Sequence, residues 1–178
     1  MRKVKDSSHI LLILVSIVLL AANVFLIVQN FQLKKTVEQS KLFTTEEGYK
    51  FTDLKFKGLD GSEETINLSD GRHKTLFLVF NTSCQYCVQQ YPYWKAITEN
   101  LDSTTWRILA ITSEENYDKI KAHLEEHKLD TVKVACIRRE EMQKSRMMYT
   151  PMTLVVDIDG EVKKVWAGLQ KNINLGNF

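Results

Sequence analysis

Two of the three cysteines in the chain, Cys84 and Cys87, are separated by two residues. This CxxC spacing brings two sulfurs within bonding reach when the first cysteine lies at a helix N-terminus and the second lies one turn in. The free N–H groups and the helix dipole at that end favour a thiolate, which makes Cys84 the predicted nucleophile and Cys87 the resolving thiol. The pair could exchange disulfides, form a structural disulfide, bind a metal or stay unreactive. Zinc normally takes four ligands, and Cys136 is the one further cysteine, so a zinc site is disfavoured.

The segments on either side of the CxxC predict a strand followed by a helix. Residues 75–80, TLFLVF, form a continuous apolar run that suits a strand buried on both faces, and we expect it to be the central strand. After the cysteines, apolar residues recur at helical spacing, with Pro92 inside the pattern as a predicted kink. Together they place Cys84 in the turn between a buried strand and a helix.

The remaining elements predict an α/β fold with a mixed sheet. A hairpin is expected around Asp60-Gly61, a second one around Asp159-Gly160, and strands at 106–112 and 132–137. Residues 115–128 and 139–149 have the pattern of helices. Helices that alternate with strands imply a sheet with parallel strands in its middle, and the two hairpins add antiparallel strands at its ends.

The order of these features resembles a known fold. A CxxC directly after a buried strand, Pro92 five residues beyond the second cysteine, and Thr150-Pro151 opening a late strand are similar to the thioredoxin fold. Residues 150–160 and Gly168 resemble the TlpA/ResA-like membrane-anchored thiol-disulfide oxidoreductases. The resemblance covers about residues 51–169. It implies a thioredoxin-like domain over residues 51–178, with a mixed central sheet flanked by helices and an N-terminal β-hairpin extension.

The same resemblance implies the parts of a redox site. Cys84 and Cys87 would form a redox-active disulfide, without a further cofactor and without a metal. Pro151 would follow a cis peptide bond beside the cysteines, and the backbone of Thr150 would then pair with an extended substrate segment. A trans proline at a strand start is the alternative.

Several positions depart from the family pattern. Gln85-Tyr86 stands between the cysteines where relatives often have a proline, and this pair, together with Pro92, is expected to tune the site. Ser83 replaces the usual tryptophan before the first cysteine. These changes leave the direction of electron flow open.

Three further departures concern the surroundings of the cysteines. Leu78 stands where thioredoxins have a buried acid, and Gln90 stands where relatives in cytochrome c maturation have glutamate. Without an acid, water must accept the proton of the buried thiol, or the reaction slows. About ten residues follow Gly168, so the usual C-terminal helix is expected to be missing or reduced.

The N-terminal segment predicts a membrane anchor. Residues 10–28 carry no charge, and about 19 helical residues span nearly all of a hydrocarbon core of roughly 30 Å. We therefore expect an anchor over residues 1–33, with the transmembrane part at about 10–28, and a stem or linker over residues 34–50. A cleaved secretory signal and a buried core helix are the alternatives. Three basic residues on each side of the span leave its orientation open.

These features predict a single-pass protein of the bacterial inner, or cytoplasmic, membrane. Its domain would lie on the periplasmic or extracytoplasmic side, exchange disulfides with protein substrates and be recharged by a membrane or extracytoplasmic redox partner. A non-catalytic assembly or chaperone module with a structural disulfide is the alternative, and a peroxiredoxin-like peroxidase fits less well. The net charge of +2 is scattered, which argues against nucleic acid as a partner.

Three other features are given their simplest interpretation. His123 and His127 belong to an HxxEH motif on a helix rich in lysine and glutamate, which predicts a solvated helix face and not a protease site. Cys136 is expected to be a small buried hydrophobe in a strand, with disulfide pairing between chains or an exchange relay as alternatives. Four of the five methionines fall between Met142 and Met152, where core filling is expected and an adaptable docking surface is the alternative.

Overall fold

The structure of the protein is a computed structural model that describes residues 3–41 and 44–175. The chain divides into two compact units, Met1–Leu42 and Phe43–Phe178. The first unit is built around one long helix, α1, Lys3–Lys41.

Helix α1 contains a segment with the properties of a membrane span. Within the described residues, Ile13–Lys35 is long and apolar enough to cross a membrane, and no other helix is. Large apolar side chains on every side of this segment are exposed, Leu20 to 70% and Ile27 to 68%. Water is an unfavourable surrounding for such a surface, whereas lipid accommodates it. The predicted span overlaps this segment, although the side chains of residues 10–12 lie outside the described residues.

The second unit is organised by a seven-stranded mixed sheet. Its strand order is β2-β1-β5-β4-β3-β6-β7. Strands β3, β4 and β5 run parallel, while β1, β2, β6 and β7 make antiparallel pairs. This arrangement confirms the predicted fold class, except that β4 takes the middle position and β3 lies beside it. The strands are β1 Asp53–Lys57, β2 Glu63–Asn67, β3 Lys74–Val79, β4 Trp106–Thr112, β5 Lys133–Cys136, β6 Met152–Val156 and β7 Val162–Ala167.

Three helices accompany the sheet: α2 Gln85–Thr98, α3 Tyr117–Glu126 and α4 Arg139–Lys144. Helix α4 ends five residues earlier than predicted. Arg146 has a φ of 55°, in the left-handed region, so the right-handed helix cannot continue through it. The backbone N–H of Met147 instead donates to the oxygen of Met142 at 2.8 Å, which closes the helix.

Both predicted hairpins are present, and the second one needs glycine. Gly160 has a φ of 81°, and a Cβ atom at this position would lie 2.0 Å from the backbone oxygen of Phe51. The N–H of Phe51 donates to the oxygen of Gly160 at 2.9 Å. The turn therefore holds the segment before β1 by direct backbone contact, which no side chain at this position would allow.

The segment just before β1 belongs to this unit and extends it beyond the predicted start at residue 51. Thr45 is buried, and its hydroxyl donates to the backbone oxygen of Ser145 at 2.6 Å. The N–H of Gly48 donates to the oxygen of Val162 at 2.7 Å, and the N–H of Val162 donates to the oxygen of Tyr49 at 2.8 Å. The last residues of the predicted stem, from Thr44 onward, are thus part of the folded domain.

The core consists of two apolar clusters, one on each face of the sheet. Successive side chains of β3 alternate between them: Phe77 and Val79 join one cluster, Leu76 and Leu78 the other. Helix α2 covers the second cluster, and the indole N–H of Trp94 donates to the hydroxyl of Thr153 in β6 at 2.8 Å. This packing fixes the start of α2 at the carboxyl end of β3.

Candidate active site

Cys84 occupies the N-cap of α2, as predicted. After β3 the chain turns tightly: the N–H of Cys84 donates to the oxygen of Asn81 at 3.0 Å, and the Asn81 side chain accepts from the N–H of Ser83 at 2.8 Å. The backbone of Cys84 is extended, and its sulfur accepts from the N–H of Cys87 at 3.3 Å. The sulfur thus satisfies one of the backbone donors that a helix leaves free at its start.

The two sulfurs differ in their exposure. Cys84 is half-buried, whereas Cys87, the third residue of α2, has no exposed surface. Both carry free thiols and hydrogen-bond to each other through their side chains. A disulfide partner from solvent can therefore reach Cys84, while Cys87 can react only through Cys84.

Hydrogen bonds lower the pKa of the Cys84 thiol. Burial by itself raises this pKa, but several donors aimed at the sulfur reverse the shift. They are the thiol of Cys87, the side chain of Thr150 and the backbone N–H groups of Cys87 and Tyr86. Each of them stabilises the thiolate more than the thiol, so the net shift is downward.

The pKa of the Cys87 thiol shifts in the opposite direction, to about 12. Burial is the largest cause, followed by the hydrogen bond to the Cys84 sulfur and by the negative charge of that sulfur. Cys84 therefore ionises before Cys87 as the pH rises. Burial and helix position are consistent with the predicted roles of the two sulfurs, which stay predictions.

Thr150 and Pro151 lie beside the cysteines. The peptide bond between them is cis, as the family resemblance implies. The sulfur of Cys84 lies 3.5 Å from the backbone oxygen of Thr150, to which its thiol donates. Pro151 is buried and precedes β6, the antiparallel neighbour of β3, which explains why two segments 66 residues apart meet here. Their role in substrate binding stays a prediction.

The residues predicted to tune the site lie on α2. Gln85 and Tyr86 form its first turn, and the side chain of Tyr86 is 54% exposed. Pro92 lies inside the helix, which continues as one element to Thr98. Tyr149, directly before Thr150, is also exposed. An aromatic side chain thus accompanies each of the two segments that contact Cys84.

Gln90 connects α2 to the chain after β7, a structural role that the sequence did not indicate. It is fully buried, its Nε2 donates to the backbone oxygen of Gln170 at 2.9 Å, and its Oε1 accepts from the N–H of Gln170 at 2.6 Å. An amide can donate and accept at once, whereas a carboxylate can only accept. This clamp fixes the segment after β7, which has no helix up to residue 175 and packs Ile173 and Leu175 against the second cluster.

Glu114 is a residue near the site that sequence reasoning missed. Its carboxylate accepts from the backbone N–H of Thr82 at 2.7 Å and from the Thr82 hydroxyl at 2.7 and 2.9 Å. It follows β4, and the carboxyl ends of the parallel strands β3 and β4 lie at one edge of the sheet. That topology is the signal that could have found it. These hydrogen bonds from Thr82 to Glu114 stabilise the turn between β3 and α2, which ends at Cys84.

Two of the simpler expectations are confirmed. Cys136 is buried in β5, and burial, followed by the charge of Glu114, raises its pKa to about 11. It is therefore a poor nucleophile at neutral pH. Met142, Met147 and Met152 are buried in the first core cluster, where they fill space between the sheet and the chain around α4.

Comparison with known proteins agrees with this fold. A family model described as the AhpC/TSA family matches residues 48–175. No curated protein sequence matches the chain at a significant level.

Solved structures match at low sequence identity. The thioredoxin domain of a thiol-disulfide oxidoreductase from Bacteroides vulgatus has a TM-score of 0.59 and 16% identity, over 72% of this chain and 91% of that one. StoA from Bacillus subtilis has a TM-score of 0.54 and 17% identity, over 67% and 90% of the two chains. A peroxiredoxin-like protein from Aquifex aeolicus has a TM-score of 0.56 and 13% identity, over 70% and 77%. These matches show the thioredoxin-like fold, and the narrower TlpA/ResA-like assignment stays a prediction.

The opposite pKa shifts predict a large difference in thiol reactivity. A thiol with a pKa below 9.0 and one with a pKa of about 12 differ in thiolate fraction at pH 7 by about a thousandfold or more. We expect iodoacetamide to alkylate Cys84 of the reduced full chain first, as measured by peptide mass spectrometry over time. The variant Cys84→Ser should lose the fast phase, because Cys87 and Cys136 react slowly. Equal rates at Cys84 and Cys87 would contradict the assignment.

The two hydrogen bonds between the Gln90 amide and the Gln170 backbone predict that glutamate at position 90 destabilises the domain. In Gln90→Glu a carboxylate loses the donation to Gln170, and its charge is buried, so we expect the free energy of unfolding at pH 7 to fall by about 1–3 kcal/mol. Burial raises the pKa of such a carboxyl, so the loss should shrink as the pH falls toward about 4, where the protonated acid can donate again. Denaturation followed by tryptophan fluorescence measures this. The matched control is Gln89→Glu, at an exposed position, which should change stability little.

Proposed function

The chain belongs to the AhpC/TSA family, and from that premise we propose that it is a thiol-disulfide oxidoreductase acting on protein substrates. The observation that carries the proposal is the pairing of an accessible Cys84 of lowered pKa with a buried Cys87 of raised pKa, beside Thr150-Pro151. Such a pair needs no further cofactor, because the two sulfurs hold the two electrons that are exchanged.

The reaction has two exchange steps. The Cys84 thiolate attacks one sulfur of a substrate disulfide, which forms a mixed disulfide and releases the other substrate sulfur as a thiolate. Cys87, after losing its proton, attacks the sulfur of Cys84 and releases the second substrate thiolate. The substrate disulfide is thereby reduced by two electrons, and Cys84 and Cys87 are oxidised to a disulfide. The reverse sequence oxidises a substrate dithiol, and the direction depends on the partner.

Proton loss from Cys87 is coupled to the first step. In the reduced pair the charge of the Cys84 sulfur and the hydrogen bond to it help to raise the Cys87 pKa. Once Cys84 is bound in a mixed disulfide, its charge is gone and these two contributions disappear. The pKa of Cys87 then falls, although burial still raises it. This change compensates in part for the leucine at position 78, where thioredoxins have an acid, and water can take the proton.

The surface around Cys84 suits an extended peptide. Thr150 contacts the sulfur and precedes β6, which supports the proposal that its backbone pairs with a strand-like substrate segment. Tyr86 and Tyr149 are exposed around this position and offer apolar contact area. In this proposal the backbone of Thr150 orients the substrate disulfide, and Gln85 and Tyr86 influence its approach.

We also propose that the domain is held at a bacterial cytoplasmic membrane on its extracytoplasmic side. Support comes from the exposed apolar segment Ile13–Lys35, which suits a lipid environment. Protein disulfides form and persist mainly outside the cytoplasm, so an anchored domain that exchanges them has most of its substrates there. A membrane or extracytoplasmic redox partner would then recharge the pair.

Trapping tests the exchange mechanism. In Cys87→Ala the second step cannot occur, so we expect mixed disulfides between Cys84 and substrate proteins to accumulate in bacterial cells that express the full chain. Non-reducing gels should show adducts that dithiothreitol removes, and mass spectrometry of the adducts identifies the substrates. The control is the double variant Cys84→Ser/Cys87→Ala, which should form none. Absence of adducts from the single variant would count against catalysis.

A redox titration separates catalysis from a structural disulfide. We expect the reduction potential of the Cys84–Cys87 couple to lie above about −300 mV, since structural disulfides lie below this value. A lower potential would favour the non-catalytic assembly module.

A peroxide assay addresses the similarity to a peroxiredoxin-like protein. We expect the reduced chain to consume hydrogen peroxide no faster than Cys84→Ser does. Rapid consumption that depends on Cys84 would favour a peroxidase.

A further inference from the structure

The HxxEH motif lies against the helix that carries the cysteines. His123 is in α3 and His127 caps its C-terminus. The prediction of a solvated face is correct for Glu126, which is exposed, but wrong for the two histidines, which are half-buried. They are half-buried because their rings pack on Tyr91 of α2, at centroid distances of 5.4 Å for His123 and 4.7 Å for His127.

The three side chains bring ligand atoms close together. One ring nitrogen of each histidine and one carboxylate oxygen of Glu126 all lie within 4.8 Å of one another. In a tetrahedral zinc site with bonds of about 2.0–2.1 Å, neighbouring ligand atoms are about 3.4 Å apart. Small side-chain rotations can bring the ligand atoms from within 4.8 Å to about 3.4 Å of one another. The side chain of Glu126 can rotate furthest because it is exposed.

Tyr91 fixes the orientation of the histidine pair. Its side chain is 1% exposed, and its hydroxyl lies 2.9 Å from Nε2 of His123. The His123 and His127 rings also contact each other, with centroids 4.7 Å apart. A hydrogen bond to one ring nitrogen of a ligating histidine is the common way in which proteins orient such a ligand. The buried phenol and the ring contacts leave the pair less freedom than two histidines on an open helix would have.

We propose that His123, Glu126 and His127 bind Zn²⁺, with one ligand atom from each residue and water completing the coordination. Two imidazoles and a carboxylate are a ligand set that Zn²⁺ accepts readily. The spacing of four residues places both histidines on one side of the last turn of α3. This site is separate from Cys84 and Cys87 and uses none of the groups of the exchange reaction.

The test measures Zn²⁺ binding to the full chain in detergent. Free thiolates also bind Zn²⁺, so the parent for all measurements is Cys84→Ser/Cys87→Ser, and the outcome is independent of the exchange reaction proposed above. We expect isothermal titration calorimetry to give one saturable Zn²⁺ per chain, and the unfolding midpoint to rise with Zn²⁺ concentration. A parent that binds no Zn²⁺ at this stoichiometry overturns the proposal.

Variants of the ligands assign the site. His127→Gln should weaken Zn²⁺ binding at least tenfold, and Glu126→Gln should weaken it severalfold. The matched control is Glu125→Gln, a neighbour on α3 that is also exposed; this variant removes the same charge and should bind Zn²⁺ as the parent does. Because Glu126 is exposed, its variant should unfold at the parent's midpoint without metal, which separates loss of a ligand from loss of the fold. Unchanged affinity in either ligand variant, or equal losses in Glu125→Gln and Glu126→Gln, overturns the three-ligand site.

Discussion

The start of helix α2 imposes the constraint on which the site depends. A helix leaves its first backbone N–H groups without partners, and here the sulfur of Cys84 accepts one of them while the turn at Asn81 holds the preceding residues. The packing of α2 on the sheet fixes this arrangement, because the indole N–H of Trp94 donates a hydrogen bond to the hydroxyl of Thr153 in β6. The same strand begins directly after Thr150-Pro151, so one packing contact positions the helix relative to the loop that contacts Cys84.

Burial turns two chemically identical thiols into two different groups. Backbone and side-chain donors surround the half-buried Cys84 and favour its charge, whereas Cys87 lies in the core, where a charge is costly. The charge of the first sulfur also suppresses ionisation of the second. The asymmetry is therefore a property of the pair, and it changes as soon as Cys84 forms a bond to another sulfur.

Polar side chains on and around α2 connect it to neighbouring parts of the domain. Gln90 uses both ends of its amide on Gln170 and so fastens the chain after β7 to α2. Glu114, in the loop after the neighbouring strand β4, accepts from the backbone N–H of Thr82 in the turn before Cys84. Tyr91, one turn beyond Cys87, is buried and ends in a contact with His123. One helix therefore carries Cys84 and Cys87 at its start, Gln90 in its middle, and next to Gln90 the tyrosine that contacts the histidine pair.

The amino-acid sequence by itself determined the elements and the main site. Short apolar runs located β3 and β4, and Asp-Gly pairs located both hairpins. The CxxC with Pro151 predicted the cis peptide bond beside the cysteines through the family resemblance. The apolar runs, the Asp-Gly pairs and the CxxC are local signals, carried by residues close together in the chain, whereas the position of Pro151 beside the cysteines followed from the resemblance. Only the tertiary structure decided that Gln90 meets Gln170, that Glu114 meets Thr82, and that His123 and His127 pack on Tyr91. Each of these contacts joins residues between 32 and 80 positions apart. The partners are set by which strands and helices become neighbours, and no local pattern specifies that.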